Sequence, residues 1–189
     1  MNDLFESIML ITASCGRGKT TYALTIGKGG LLYDINEKRK RDNLFDRDLK
    51  DILPCEMLVV SSRTNTVKQL LRNENVIQAI KEDFTNDYDF MRDNEKQGKI
   101  LVATAHQFGE WIKAGYIINP PKVIVLDELH SLIAETVFAD SLLYAMDFIE
   151  QHYDEMIKIG LTATPQFLTE YIEKGIDSPL KFRIIDCGD

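Results

Sequence analysis

Residues 12–21 read T-A-S-C-G-R-G-K-T-T and directly follow an apolar run, I-M-L-I, at residues 8–11. A glycine-rich turn between a strand and a helix leaves several backbone N–H groups pointing at one spot, and the helix N-terminus adds its positive end there. Gly16 and Gly18 allow the backbone to approach a ligand closely and to adopt unusual dihedral angles. The stretch therefore predicts a strand, a turn that cradles phosphate, and a helix.

The residues after the second glycine supply the chemistry of such a cradle. Lys19 can reach terminal phosphates as a point charge, and Thr20 can ligate Mg²⁺. The P-loop pattern G-x-x-x-x-G-K-[ST] is matched except at its first glycine, where Ala13 stands. The predicted helical stretch Thr21–Lys28 gives the motif its expected context, and a chance glycine-rich turn is the alternative interpretation.

A second motif lies about 100 residues further along the chain. The apolar run Val123–Leu126 leads directly into Asp127, Glu128, Leu129 and His130. Two carboxylates after a strand lie at the carboxyl end of the sheet, where ligands bind in open α/β folds. Such a pair alone is usually a polar cap, but with a P-loop it predicts the second half of a nucleotide site. Asp127 is expected to hold Mg²⁺, and Glu128 to accept a proton from the attacking water.

Short apolar runs alternate with amphipathic stretches along the chain. Several runs are apolar almost without a break, which is typical of strands covered on both faces. The alternation predicts an α/β fold, a mostly parallel sheet with helices on both faces. The predicted strands are Ile8–Ala13, Leu31–Ile35, Met57–Ser61, Ile100–Thr104, Val123–Leu126, Ile157–Leu161 and Phe182–Ile185, and the further predicted helices are Thr66–Lys81 and Ser141–Tyr153.

Composition limits the classes of function. The 189 residues fit one domain, and a hydrophobic content of 44% is enough for a packed core. The net charge of −8 excludes a domain that is basic overall, so contact with an anionic polymer must come from a local surface or a partner. No apolar run approaches the roughly 20 residues of a membrane span. Three separated cysteines and an N-terminus without a basic segment predict a reduced, cytoplasmic setting.

Two segments are strongly charged. Glu37–Asp51 contains the basic cluster Lys38–Arg41, and Lys81–Lys99 is rich in Asp, Asn and Glu. For both, a solvated helix or loop is the favoured interpretation, because blocks of charge usually face water. A nucleic-acid contact through Lys38–Arg41 stays open as the alternative.

These motifs resemble those of superfamily-two helicases, the DEAD/DEAH-box group and its relatives, in their first RecA-like domain. Ala13–Thr20 is similar to motif I, A-x-x-G-x-G-K-T, and Asp127–His130 has the D-E-x-H form of motif II. Thr162–Thr164, T-A-T, resembles motif III. Two weaker resemblances are Ser61–Arg63 with motif Ia and Thr104–Phe108 with a later nucleic-acid-contacting motif. Order and spacing agree across nearly the whole chain.

The resemblance implies a RecA-like P-loop NTPase fold with ATP and Mg²⁺ as cofactors. Thr20 and Asp127 would bind Mg²⁺, and the catalytic residues would be Glu128 and Lys19. The implied ATP-binding residues are Ser14, Cys15, Gly16, Arg17, Gly18, Lys19, Thr20 and Thr21.

Further residues are implied to connect ATP with a bound strand. The residues implied to couple the two sites are His130, Thr162 and Thr164. Those implied to touch the backbone of single-stranded DNA or RNA, which positions the strand without reading its sequence, are Ser62, Arg63, Thr104 and Gln107. Simpler roles stay open: the two threonines could cap a helix near Pro165, His130 could be a partly buried polar residue, and Arg63 could be one surface cation among 22 basic residues.

The departures from the family pattern also carry expectations. Met1–Ser7 contains no glutamine that would read adenine, so adenine specificity is not predicted. The chain ends at Asp189, shortly after Thr164, so we expect a single domain over residues 1–189 without the second RecA-like domain of the family. Phosphoryl transfer often needs an arginine opposite the P-loop, which contributes about 10³ or more in rate. We therefore expect slow hydrolysis until a second domain or a partner chain supplies that group.

The main expectation is thus an ATP-binding helicase or translocase domain. The rival is a nucleotide-gated regulatory or assembly subunit, for example of a phage or restriction complex, that unwinds nothing. The intact Glu128 argues against a pure nucleotide switch, since a binder does not need a catalytic base. A small-molecule kinase fits poorly, because the residues around Asp127 and the Thr162–Thr164 motif are not expected there.

Overall fold

The structure, a computed structural model, describes residues 7–12, 18–42, 49–85, 96–117, 119–135, 140–152, 154–164 and 182–186. The helices are α1 Lys19–Leu24, α2 Leu31–Asp42, α3 Thr64–Leu70, α4 Ala105–Lys113, α5 Leu129–Glu135 and α6 Asp140–Gln151. The strands are β1 Ile8–Thr12, β2 Met57–Ser61, β3 Val76–Gln78, β4 Ile100–Thr104, β5 Val123–Asp127, β6 Ile157–Thr162 and β7 Phe182–Asp186. Two short 3-10 helices span Pro54–Glu56 and Lys81–Phe84.

The described strands form one seven-stranded sheet in the order β3-β4-β2-β5-β6-β1-β7. All the adjacent pairs are parallel. Parallel strands need crossover connections. Among the described connections, α1 and α2 lie between β1 and β2, α3 between β2 and β3, α4 between β4 and β5, and α5 and α6 between β5 and β6. The fold confirms the predicted parallel α/β sheet with helices on both faces.

The two faces of the sheet pack against different helices. Helices α1, α2 and α3 cover one face, here called the α1 layer, and α4, α5 and α6 cover the other, the α4 layer. Side chains alternate along a strand, so β5 sends Val123 and Val125 into the α1 layer and Ile124 and Leu126 into the α4 layer. By the same alternation Asp127 faces the α1 layer.

Close packing of α4 against α6 fixes the α4 layer. A Cβ atom at Gly109 would meet the Ser141 carbonyl oxygen at 1.8 Å, so only glycine allows the two backbones this close. Phe108 is fully buried and makes edge-on contacts with Phe84 and Phe148, at centroid distances of 6.1 and 5.9 Å. Truncation of such a phenylalanine to alanine costs about 3–5 kcal/mol of stability.

Three predicted elements differ from the structure. Leu31–Ile35, predicted as a strand, is the first part of helix α2, where Leu31, Leu32 and Ile35 are buried on one helical face. The predicted helix Thr66–Lys81 ends at Leu70, and Val76–Gln78 instead forms edge strand β3.

The causes of these differences are local. After α3, Asn73 accepts a hydrogen bond from the Asn75 N–H at 2.9 Å, a turn that leads the chain into β3. The predicted helix Thr21–Lys28 ends at Leu24, because Thr25 is extended with a ψ of 121°, and Gly27 then adopts a φ of 98°, which no helix contains. The other predicted strands and the Ser141–Tyr153 helix agree with the structure within two residues over the described parts.

The basic cluster lies on α2 in the solvated arrangement that the sequence favours. Lys38 pairs with Asp42 at 3.2 Å, and Lys40 pairs with Glu37 at 3.3 Å and Asp51 at 3.0 Å. Partly exposed pairs of this kind contribute only about 0–1 kcal/mol each. Of the second charged segment, residues 86–95 lie outside the described part.

Candidate nucleotide-binding site

The carboxyl ends of five neighbouring strands bring polar side chains to one edge of the sheet. Ser61 of β2 is in register with Thr104 of β4 on one side and with Asp127 of β5 on the other. Thr12 of β1 is in register with Thr162 of β6. Both predicted motif strands, β1 and β5, therefore end at the same edge, with β6 between them.

Gly18 marks the start of the P-loop helix. Its φ of 82° lies in the left-handed region, and its carbonyl oxygen accepts a hydrogen bond from the Tyr22 N–H at 2.8 Å. Lys19, Thr20 and Thr21 form the first turn of α1. The other predicted phosphate-binding residues, Ser14, Cys15, Gly16 and Arg17, lie outside the described residues.

Asp127 is a buried carboxylate with only 4% of its surface exposed. Burial, and next the charge of Glu128, raise the pKa of the Asp127 carboxyl to about 6. A hydrogen bond from the Ser61 hydroxyl and the positive charge of Lys19 partly counteract this rise. The Lys19 charge is thus close enough to the Asp127 carboxylate to lower its pKa.

The donor set suits the magnesium ion that the motif resemblance implies. Mg²⁺ prefers oxygen ligands and is commonly bound by one or two protein oxygens together with phosphate oxygens and water. Thr20 offers a hydroxyl at the start of α1, and Asp127 offers a carboxylate in the layer that α1 covers. A nearby cation would also favour the ionised form of Asp127, which burial alone disfavours.

Glu128 alone connects β5 with α5 and takes up the sharp change of direction. Its φ is 52°, the one positive φ outside glycine among the described residues. Its carbonyl oxygen accepts hydrogen bonds from the N–H groups of Ser131 at 2.8 Å and Leu132 at 3.3 Å, which cap α5. The left-handed conformation costs a side-chain-bearing residue about 1–2 kcal/mol. The fold thus holds this carboxylate, 43% exposed, in a strained backbone beside Asp127.

The three predicted coupling residues form one hydrogen-bonded group. His130 Nδ1 lies 3.1 Å from Thr162 Oγ1 and 3.4 Å from Glu128 Oε2. Thr162 is fully buried, and its Oγ1 accepts a hydrogen bond from the Thr164 N–H at 3.1 Å. The geometry connects the carboxylate of the second motif with the loop after β6.

The predicted nucleic-acid residues lie at the ends of β2 and β4. The Thr104 hydroxyl accepts a hydrogen bond from the Gln107 N–H at 3.1 Å and so caps α4, which leaves its own proton free for a phosphate. Arg63 is exposed and precedes α3. Ser62 Oγ is buried without a hydrogen-bond partner among the described atoms, so a bound strand would reach it only after a local rearrangement.

Ser61 is a site residue that the sequence reasoning missed. The motif Ia resemblance covered Ser61–Arg63 but implied a role only for Ser62 and Arg63. Its contact with Asp127 depends on β2 being the neighbour of β5. The sequence showed both strands but not their order, so no local signal identified this residue.

The parallel sheet, the P-loop helix and the paired acids at its carboxyl edge define a RecA-like ATPase domain of the helicase type. The chain belongs to the family described as type III restriction enzyme, res subunit, whose model matches residues 5–167. No curated protein sequence matches the chain significantly.

A solved structure shows the same fold. The chain is similar to the yeast DEAD-box splicing factor Prp28, with 19% identity and a TM-score of 0.51. The match covers 95% of this chain and 42% of that protein, so the chain spans less than half of its relative's length. Within the described residues, no helix is long and apolar enough to cross a membrane.

Proposed function

We propose that the chain binds ATP with Mg²⁺ at the carboxyl edge of the sheet and couples hydrolysis to movement on, or remodelling of, DNA or RNA. The observation that carries the proposal is the convergence of Lys19 and Asp127, with Glu128 in contact with the His130–Thr162 pair. The family description names a restriction-enzyme subunit and the solved relative is a splicing factor, so both DNA and RNA belong in the test.

Lys19 and Thr20 perform the binding step in this proposal. The Lys19 ammonium neutralises charge on the terminal phosphates, and the Gly18 conformation turns the chain into α1 so that the first backbone N–H groups stay available. Mg²⁺, when bound, supplies charge neutralisation at the phosphate oxygens. Asp127 and Thr20 are the residues that would hold it.

Glu128 performs the proton transfer. Its side chain is partly exposed at the edge and accepts the proton of the water that attacks the terminal phosphate. The strained backbone and the α5 cap hold it in place, so little reorganisation is needed during the reaction.

His130, Thr162 and Thr164 would transmit the state of the nucleotide. A change at Glu128 alters its contact with His130 and, through Thr162, the loop that begins at residue 163. The strand itself would contact Arg63, Thr104 and Gln107, with Ser62 close by. An arginine from a second RecA-like domain or a partner chain would complete the charge stabilisation, which is why we expect the chain alone to hydrolyse ATP slowly.

The experiment compares Glu128→Gln with Glu150→Gln, an exposed glutamate on α6 that loses the same charge. Both variants should bind ATP like the wild type. Turnover, measured as phosphate release with single-stranded DNA and with single-stranded RNA, should fall about 10²–10⁴-fold for Glu128→Gln only. Unchanged turnover in Glu128→Gln would contradict the assigned role.

A further inference from the structure

The end of β2 lies directly beside the predicted metal ligand. Ser61 and Asp127 are the last residues of neighbouring parallel strands and are paired in register. Two positions earlier on each strand, Val59 and Val125 both pack in the α1 layer. Side chains alternate along a strand, so Ser61 and Asp127 also face the α1 layer. Their side chains are 1% and 4% exposed, which leaves little water to hydrate the carboxylate.

The Ser61 hydroxyl donates a hydrogen bond to the Asp127 carboxylate. A carboxylate has about four lone-pair sites, so it can accept from Ser61 and still ligate a metal ion with another oxygen lone pair. A buried carboxylate fixed by one hydrogen bond has fewer orientations to lose when it binds a cation. Partners that orient a ligand in this way typically contribute about 10–100-fold to metal affinity.

We propose that Ser61 is a positioning residue: its hydroxyl holds Asp127 in the orientation that ligates Mg²⁺ and so sets the magnesium response of nucleotide binding. The inference rests on the proposed function and adds to it a residue that contacts neither nucleotide nor metal. Ser61 acts only through Asp127, so its loss affects the metal-dependent part of binding and spares the phosphate contacts of Lys19.

The test measures the affinity of a fluorescent ATP analogue, methylanthraniloyl-ATP, in EDTA and across a magnesium titration. Ser61→Ala should bind the analogue like the wild type in EDTA but need about tenfold more Mg²⁺ for the same tightening. Ser61→Thr, which keeps the hydroxyl, should restore most of the response. A purely structural role would instead lower stability and weaken both measurements together.

Ser141→Ala is the matched control. Ser141 is 3% exposed and its hydroxyl contacts His106 Nδ1 at 2.6 Å, so the variant also removes a buried serine hydrogen bond, but one that does not touch Asp127. Its magnesium response should equal that of the wild type. If Ser61→Ala unfolds, Ser61→Cys, with a weaker donor of similar shape, carries the same comparison.

The outcomes separate this inference from the proposed function. If Ser61→Ala responds to Mg²⁺ as the wild type does, the role of Ser61 is overturned and the proposed nucleotide binding is unaffected. A wild-type chain that binds no analogue with or without Mg²⁺ would overturn the proposed function itself. A selective loss in Ser61→Ala with rescue in Ser61→Thr supports the inference.

Discussion

Asp127 and Lys158 are both buried ionisable side chains on β5 and β6, two adjacent inner strands of the sheet, yet their surroundings differ. Asp127 ends β5 at the carboxyl edge, whereas Lys158 is the second residue of β6 and fully buried. Burial raises the pKa of Asp127 to about 6 and lowers the pKa of Lys158 to about 8. A buried ionisable group therefore occurs both at the carboxyl edge and in the amino half of the sheet. Burial by itself does not identify a ligand-binding site.

The difference lies in what converges on each charge. Asp127 faces the α1 layer together with Ser61 and within reach of the Lys19 charge. Lys158 lies between Ile157 and Ile159 of the α1 layer and so faces the other side, where the charge of Asp154 partly offsets the effect of burial. We infer that the carboxyl edge uses its buried charge for ligand binding, while Lys158 mainly costs stability.

The largest expected effect separates the two lysines. Lys19→Ala should weaken ATP binding about a hundredfold, because it removes a charge-assisted contact with the terminal phosphates. Lys158→Met should bind ATP within about twofold of the wild type, since Lys158 faces the opposite layer. Titration calorimetry measures both. Equal losses of ATP affinity in the two variants would contradict the assignment of Lys19, and not Lys158, to the nucleotide site.

The second effect concerns stability at the amino half of the sheet. Lys158→Met should raise the free energy of unfolding at pH 7 by about 2 kcal/mol, because a buried ammonium is replaced by an apolar side chain of similar length. The folded pKa is lowered from 10.5 to about 8, so the unfolded state binds more protons in this window. The wild type should gain stability relative to Lys158→Met from about pH 8 to 10.5, as urea unfolding will show. A constant difference across this range would contradict the assigned cause.

A smaller effect is expected at the carboxyl edge in the absence of ligand. Asp127→Asn should raise the free energy of unfolding at pH 7 by about 1 kcal/mol, because it removes a buried charge and keeps an acceptor for Ser61. The folded pKa is raised from 3.8 to about 6, so the wild type should lose stability relative to the variant as pH rises through this window. In Asp127→Asn, nucleotide binding should also no longer tighten with Mg²⁺. If Asp127→Asn is instead less stable than the wild type, the carboxylate is needed for the structure.

The smallest effect compares the two ends of α3. Arg63 precedes α3 at the carboxyl edge, and Arg72 follows it. Arg63→Ala should weaken single-strand binding about threefold for any sequence and reduce the slope of log affinity against log salt by about 0.7. Arg72→Ala should leave both unchanged in fluorescence anisotropy titrations. A loss that depends on base sequence would contradict a backbone contact by Arg63.

The sequence predicted the parallel sheet and both site motifs because these signals are local. Apolar runs mark buried strands, and a Gly-x-Gly-Lys-Thr turn or an Asp-Glu pair at a strand end carries its chemistry within a few residues. Leu31–Ile35 was wrong as a strand, since a short apolar run cannot be told from the buried face of a helix by its own pattern.

Ser61 and Lys158 were missed for a different reason. The role of each depends on a neighbouring strand or a sheet face, and strand order is a tertiary property. A lysine between two isoleucines in I-K-I-G-L suggests alternation with a solvated face, whereas here helices cover both faces.

The amino edge also offers a cavity with which the candidate site can be compared. Its volume is about 310 Å³, and it is lined by residues that include Cys55, Glu56, Phe84, Pro121 and Lys122, where β2 and β5 begin. Two of the lining residues, Glu56 and Lys122, form an ion pair at 2.6 Å. Neither a glycine nor a residue of an α-helix is among its lining residues, so we expect no nucleotide there.

The most direct test is a crystal structure of the chain with Mg²⁺ and a non-hydrolysable ATP analogue. The terminal phosphates should lie beside Lys19 at the start of α1, with the metal about 2.1 Å from its oxygen ligands and held by Asp127 directly or through water. An analogue seated at the amino edge, or a bound analogue from which Asp127 and Glu128 point away, would contradict the account.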